Sequence, residues 1–480
     1  MVQTKLDDKN VFNDKLNKNF LLKKFTFPAV KEGSVIEYTY TIKSDFILHL
    51  HPWEFQGESP CLWSSYTINV TAIFNYAILK QGATNYVLNR TDGKSKVFRV
   101  SQDPEQPYEL EKIYAVSTIV TIRQWAMKDI PAMHSQDYTS SIDNYVSKLD
   151  FQLSEYRFPD EPIENKLKDW KMLSTELLKS DDFGQPLIEK NIWVTEELKN
   201  IIDESFTDEQ KAKKIFAYVR DNYVCTKHYG IFLSEETVFK DIIKKKSGSV
   251  SDLNLLLVSM LRLSGLKADP VILSTREHGT VMAQYPLTDK FNYLICRLQL
   301  KGTDFFLDAS SPYLGFDRLT LQSYNGMARI ITDEPAAVYF KPEQVNENKT
   351  VTVILTNNNN LLSGEYIASL GYHQSLDLRN KLASETLENY FKEEEKNYSI
   401  DATIKNGKID SLKNYDVPVI VKYTIEIKPG EDDRIYFNPM LNELIKNNPF
   451  KSEERLYPVE LPYNSISIYN LNIEIPKNYK

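Results

Sequence analysis

Apolar and polar residues alternate with a period of two near the start of the chain. In Ser34–Lys43, aliphatic or aromatic side chains at every second position alternate with charged residues and threonines. Residues 67–76 repeat the alternation. This period predicts β-strands with one buried and one solvent-facing side, as in an antiparallel sheet or a sandwich. We therefore expect an antiparallel β-domain over residues 1–158.

The period becomes helical from residue 159 onwards. Thr207 and Gln210 have the spacing of a capping box, and apolar residues follow at helical intervals as far as Tyr223. The segment Ser251–Ser264 is apolar around nearly its whole circumference, and Gly265 after it is a typical helix-ending residue. A helix that is apolar on all sides is buried, so we expect it at the centre of its domain. Short strands follow it, and residues 159–335 are predicted to form an α+β core.

Residues 336–480 return to strand patterning, interrupted by one amphipathic helix predicted over Leu376–Lys396. A short strand is also predicted at Ile435–Phe437. We expect a C-terminal β-domain of the sandwich-like kind, which makes the whole chain α+β with three domains. Because the first domain begins in mid-sheet and the last one ends early, we expect a chain that is trimmed at both ends or whose start is assigned wrongly.

Composition removes several function classes. The formal net charge is −8 and no Lys/Arg-rich block is present, which disfavours nucleic-acid binding through phosphate neutralisation. No apolar run of about 18 residues occurs, so no membrane span is predicted. Three cysteines exclude a disulfide framework and a multi-Cys zinc site. His49 and His51 have metal-compatible spacing on one strand face, but no third ligand lies nearby, so we expect neither metal nor cofactor.

Four segments in fixed order carry a family resemblance. They are Gly248–Leu266, Pro270–Thr275, Phe291–Tyr293 and Phe306–Ala309. Their order resembles the transglutaminase-like superfamily, which has a papain-like cysteine protease core. In active members of that superfamily a Cys begins the buried helix, a His lies on the next strand and an Asp on the following one. The helix dipole and the imidazole lower the pKa of the thiol, and the carboxylate orients the imidazole.

Two of the three catalytic positions implied by this resemblance hold the wrong side chain. The nucleophile position is Val250, the base position is Tyr293, and only the third member, Asp308, is present. Valine has no lone pair with which to attack, and a tyrosine with a pKa near ~10 is not a general base at neutral pH. We therefore predict that the degenerate positions Val250, Tyr293 and Asp308 do not support acyl transfer.

Two sets of residues could replace the missing nucleophile and base. Ser249 and Ser251 flank the nucleophile position, but a serine needs a base, and helix N-capping is the expected structural role. Cys225 and His228 lie three residues apart and could meet on one helical turn as a relocated dyad. In the structural alternative, Cys225 is a small buried hydrophobe and His228 a surface residue.

The flanks of the core extend the resemblance. Residues 24–38, 53–56 and 131–133 are similar to the β-domain that precedes the core in a group of bacterial envelope proteins of otherwise unknown function. Residues 447–455 and 457–459 are similar to the β-domain that follows it. Such proteins carry a signal peptide and are exported to the periplasm, whereas residues 1–8 of this chain have no apolar signal-peptide core. The resemblance therefore implies a periplasmic or envelope location.

Three functional hypotheses follow. In the first, the chain is a catalytically inactive, transglutaminase-like binding or scaffold module for an unknown protein, peptide or glycan. In the second, it is an active cysteine protease or acyl transferase that uses Cys225 and His228. In the third, which is compatible with the first, the β-domains bind carbohydrate or peptide.

Overall fold

The chain forms two compact units, Met1–Ile47 and Leu48–Lys480. A computed structural model describes residues 4–6, 8–15, 21–43, 47, 49–102, 112–158, 161–188, 191–234, 238–358, 361–398, 400–428, 438–443, 447–451 and 453–475. In the first unit, β1 (Val11–Lys15) and β2 (Leu21–Phe25) form an antiparallel pair. The strand predicted at Ser34–Lys43 is wrong, because these residues are exposed and belong to no ladder of the described unit. Alternation alone does not make a strand without a partner and a face to bury.

The second unit begins with seven strands in two antiparallel sheets. They are β3 (His49–Glu54), β4 (Cys61–Thr71), β5 (Phe74–Gln81), β6 (Leu88–Gln102), β7 (Lys112–Ile130), β8 (Lys148–Tyr156) and β9 (Glu164–Asn165). One sheet has the order β3-β8-β5, with β9 paired to β8, and the other has the order β4-β7-β6. Side chains of both sheets share one apolar core, as in a sandwich. The alternation predicted over residues 67–76 is interrupted by a turn at Ala72 and Ile73, which separates β4 from β5.

In the middle of the chain, a region that is mainly helical is followed by one that is mainly β-strand. The helices are α1 (Trp170–Lys179), α2 (Gln185–Ile188), α3 (Ile192–Lys199), α4 (Asp208–Asn222), α5 (Phe239–Lys245) and α6 (Val250–Leu263). The strands are β10 (Val224–Lys227), β11 (Ser247–Ser249), β12 (Lys267–Leu273), β13 (Tyr293–Leu300), β14 (Thr303–Leu307), β15 (Gly326–Ile330) and β16 (Ala336–Phe340). β10 and β11 are parallel, and the other five strands form an antiparallel sheet of order β14-β13-β12-β15-β16.

Helix α6 is the centre of this region, as its apolar circumference predicts. Every residue from Val250 to Leu261 is buried, and the helix packs on β12 and β13. Gly265 has φ +87°, and the amide of Leu266 donates to the carbonyl of Leu261 over 3.0 Å. This Schellman arrangement confirms the predicted helix end. The capping box predicted at Thr207 and Gln210 is also present and begins α4.

The last region is a single sheet with two helices. Its elements are β17 (Asn346–Asn358), β18 (Leu361–Ser369), α7 (Tyr372–Leu382), α8 (Leu387–Lys396), β19 (Ala402–Asp410), β20 (Ile420–Ile427) and β21 (Asn464–Ile473). The strand order is β19-β20-β18-β17-β21, and only the β17–β21 pair among these described strands is parallel. Ile435–Phe437, where a strand is predicted, lies outside the described residues.

Two expectations for this last region are wrong. The single helix predicted at Leu376–Lys396 is divided into α7 and α8, because Thr386 caps a new helix by accepting a hydrogen bond from the Asn389 amide. The described residues also hold one sheet covered by helices rather than the two facing sheets of a sandwich, since Leu378, Tyr390 and Phe391 fill the core beside the strands. The α+β class is confirmed. None of the described helices is long and apolar enough to cross a membrane.

Candidate functional site

The first turn of α6 presents a carbon side chain where the resemblance requires a thiol. Val250 is the first residue of the helix and is fully buried. Ser249 before it is the N-cap: its hydroxyl accepts from the Asp252 amide over 3.1 Å, and the Asp252 carboxylate accepts from the Ser249 amide over 2.7 Å. Capping is therefore confirmed for Ser249. Ser251 has another role, because its hydroxyl donates to the carbonyl of Phe232 over 2.5 Å.

Tyr293 and Asp308 lie together beside this helix. Tyr293 begins β13, and Asp308 directly follows β14, its antiparallel neighbour. The Tyr293 hydroxyl donates to Asp308 Oδ2 over 2.8 Å. The resemblance assigns this contact to an imidazole, and a phenol makes it here. The structure thus brings two of the three degenerate positions into direct contact.

The second carboxylate oxygen of Asp308 has three further donors. Asn254 Nδ2 donates over 3.0 Å, and Ser310 donates through its amide over 3.0 Å and its hydroxyl over 2.6 Å. Neither Asn254 nor Ser310 is singled out by the sequence reasoning. The available signal is that Asn254 is a lone amide within an apolar helix and lies four residues after Val250, on the same face. Its side chain also donates to the carbonyl of Leu294 on β13 and accepts from the amide of Ala309, so it joins the helix to β13 and to the residues just after β14.

Apolar packing places Val250, the third position, beside Tyr293. Val250 and Tyr293 belong to one buried cluster with Val271 and Ile295. Burial, followed by the nearby Asp308 charge, raises the pKa of Tyr293 well above its ordinary value. Its hydroxyl therefore stays protonated at neutral pH and donates, so it cannot accept a proton from a nucleophile. The three positions converge, but the groups that meet there form a satisfied hydrogen-bond network.

Cys225 is the cysteine that packs beside this network. It lies on β10 at the register of Gly248, and its side chain packs against the Val250–Tyr293 cluster. Burial raises the pKa of the Cys225 thiol to about 11, and the Asp308 and Asp252 charges act in the same direction. Its Sγ donates to the carbonyl of Lys227 over 3.5 Å. These surroundings oppose the thiolate that nucleophilic catalysis requires.

His228 does not complete a dyad with Cys225. The predicted helical turn on which Cys225 and His228 could meet is wrong, because Val224–Lys227 is a strand and His228 lies outside it. His228 is exposed just beyond the strand, and in the described part of the chain no hydrogen bond joins it to Cys225. Cys225 fits the structural alternative of a small, partly buried hydrophobe.

We expect Cys225 to be slow to alkylate. With a pKa of about 11, its thiolate fraction at pH 8 is roughly two orders of magnitude below that of an ordinary cysteine. Iodoacetamide labelling, read residue by residue by mass spectrometry, should modify Cys225 more slowly in the native protein than in urea. The variant His228→Ala should leave this rate unchanged. Native labelling that is faster than in urea, and slowed by His228→Ala, would contradict this expectation.

A metal centre has no support in the described residues, where no three His, Cys, Asp or Glu side chains are grouped closely enough to hold an ion. His51 is exposed, and its Nδ1 lies 2.9 Å from the carbonyl of Pro52. The side chain of His49 lies outside the described part.

Comparisons with known proteins give distant likenesses. Residues 433–480 match the family described as a domain of unknown function with a solved structure (DUF3858). No curated protein matches the chain. A Parabacteroides distasonis structure described as a "putative protease" is similar over 80% of this chain and 70% of that chain, with 11% identity and a TM-score of 0.41. A Cytophaga hutchinsonii structure described as a "putative cysteine protease" covers 59% of this chain and 79% of its own, with 10% identity and a TM-score of 0.22.

Proposed function

We propose that the chain is a catalytically inactive, transglutaminase-like protein that acts as a binding or scaffold module. The observation that carries the proposal is the Tyr293–Asp308 hydrogen bond beside the buried side chain of Val250. Where acyl transfer needs a thiolate and an imidazole, the chain has a hydrocarbon and a phenol that donates its proton. The network fits a role in holding α6, β13 and β14 together.

The alternative of an active cysteine enzyme lacks its chemical requirements. Burial and two neighbouring carboxylates favour the thiol form of Cys225, and His228 is exposed beyond the end of the strand. Ser249 and Ser251 have each other, the Asp252 capping box and the Phe232 carbonyl as partners. No histidine is among the hydrogen-bond partners of either serine in the described chain, so neither has a base.

A binding role is supported by surface that lies away from the degenerate positions. A pocket of about 390 Å³ opens beside α4, with Phe206, Phe216 and Phe316 among its walls and the cations Lys214 and Arg220 at its side. This volume lies within the range of about 300–1,000 Å³ that is usual for ligand sites. A peptide or glycan could bind there without any chemistry at Val250.

The proposal predicts an absence of turnover. The purified chain, incubated with a glutamine-containing acyl-donor peptide and an amine, or with a peptide substrate library, should form no more product than the heat-denatured protein. Each nucleophile candidate has its own control variant, namely Cys225→Ala, Ser249→Ala and Ser251→Ala. Turnover that increases with protein concentration and is lost in any one of these variants would contradict the proposal.

We also propose a periplasmic or envelope location in a bacterium, by resemblance of the flanking regions to exported proteins. The test is fractionation of a producing cell with antibody detection. Recovery in the periplasmic or envelope fraction is expected, and recovery in the cytosol alone would contradict this location.

A further inference from the structure

A small polar pocket lies between the first sandwich and the segment that connects β12 to β13. Its volume is about 140 Å³. The sandwich contributes Gln81, Lys148 and Asp150, and the loop before β8 contributes Asp143. The opposite wall is residues 278–290, just before the base position Tyr293. The pocket therefore differs in place and in residues from the Val250–Tyr293–Asp308 network.

The two walls are fastened to each other around this space. Asn144 Oδ1 accepts from the Thr280 amide over 2.7 Å. Gly279 has φ +97°, and a Cβ at that position would lie 2.9 Å from the same oxygen, so the close approach requires glycine. Lys290 Nζ donates to Asp150 Oδ2 over 3.1 Å across the boundary. These contacts join the two walls around the pocket.

Two charges on the pocket wall remain without an ion partner. Lys290 is paired with Asp150 and Asp289. In contrast, among the described residues neither Asp143 nor Lys148 takes part in a salt bridge. His278 Nδ1 and Ser274 Oγ share a hydrogen bond of 3.0 Å, and burial, together with the charge of Lys290, lowers the pKa of His278, which favours the neutral imidazole. The pocket thus offers one unpaired carboxylate and one unpaired ammonium.

We infer that this pocket binds a small free α-amino acid in its zwitterionic form, with the ligand ammonium at Asp143 and the ligand carboxylate at Lys148. The volume of the pocket suits a ligand of this size. An engineered cavity of about 150 Å³ holds benzene, which has six non-hydrogen atoms, and alanine also has six. A ligand with two opposite charges pairs with both unpaired side chains, Asp143 and Lys148, whereas a simple anion would meet the three carboxylates of the lining. The inference is independent of catalytic inactivity, because no residue is shared with that network.

Isothermal titration of the full chain with L-alanine tests the inference. We expect saturable one-to-one binding. N-acetyl-alanine lacks the ammonium and alanine amide lacks the carboxylate, so each should bind at least about tenfold more weakly, as expected for the loss of a charged hydrogen bond. Asp143→Asn and Lys148→Gln should each weaken alanine binding by a similar factor. The exposed remote residues Asp181 and Lys199 provide matched controls, Asp181→Asn and Lys199→Gln, which should bind like the wild type.

Three results would overturn the inference: no saturable heat up to about 10 mM alanine, equal binding of the blocked analogues, or binding that neither pocket variant changes. Asp143 is exposed and Lys148 half-buried, so both variants should fold, and their thermal melting checks this. A failed titration would leave the turnover assay unaffected, which separates this inference from the proposed function.

Discussion

Replacing Asp308 by alanine is expected to lower the free energy of unfolding by about 4 kcal/mol. The carboxylate is completely buried and accepts from Tyr293, Asn254 and Ser310. Removing it leaves these donors without a partner in a buried site, and each buried group that loses its partner costs about 1–3 kcal/mol. Urea denaturation followed by circular dichroism measures the change.

Two further variants test whether the loss of stability comes from the hydrogen bonds rather than from the removed side-chain volume. Tyr293→Phe removes one of the donors and keeps the ring, so we expect a loss of about 1–2 kcal/mol. Asp181→Ala, at an exposed position in the same region, should change stability by less than about 0.5 kcal/mol. A loss of stability in Asp308→Ala as small as in this control would show that the network does not stabilise the fold.

Acidification from pH 7 to pH 4.5 is expected to remove about 2–3 kcal/mol of stability through His373. Burial, and then the charge of Arg318, lowers the pKa of this histidine from 6.5 to about 4. Between those values the unfolded chain binds the proton and the folded chain does not. The contribution is therefore complete above pH 6.5 and is lost as pH falls through the range down to about 4.

The His373 effect is measured as a difference between variants. Burial raises the pKa of Glu347 and Asp377 near the same helix, and these carboxyl groups favour the folded state at low pH, against the trend from His373. His373→Gln keeps them, so wild type should lose about 2–3 kcal/mol more than this variant between pH 7 and pH 4.5. His51→Gln, at an exposed histidine, is the control. Equal losses in wild type and His373→Gln would contradict the assignment.

Elements with a strong intrinsic pattern are predictable from the sequence, and elements that depend on a partner are not. Helix α6 is apolar on all sides and has a capping serine and a terminal glycine, so its position and burial follow directly. Ser34–Lys43 has an equally regular pattern, but a strand also needs a neighbour, which sequence alternation cannot supply. The division between α7 and α8 depends on the Thr386 cap, a short polar signal within an otherwise continuous amphipathic stretch.

The sequence singles out three candidate positions but not the side chains that contact them. The order of motifs brings Val250, Tyr293 and Asp308 into correspondence with a catalytic pattern. Asn254 and Ser310 are missed, because their roles depend on which side chains meet across the helix and two strands. The helical turn considered for Cys225 and His228 is wrong because four residues, Val224–Lys227, are too few for periodicity to separate a strand from a helical turn.

The most direct test of catalytic inactivity is whether the native fold accelerates acylation of any of its own nucleophiles. The wild-type chain is incubated with a peptide thioester, both native and unfolded in urea, and intact-mass spectrometry follows acyl addition over time. We predict that native Cys225, Ser249 and Ser251 acylate no faster than in the unfolded chain. A stoichiometric acyl adduct that forms faster in the native protein, and that fragmentation maps to one of these three residues, would contradict the account.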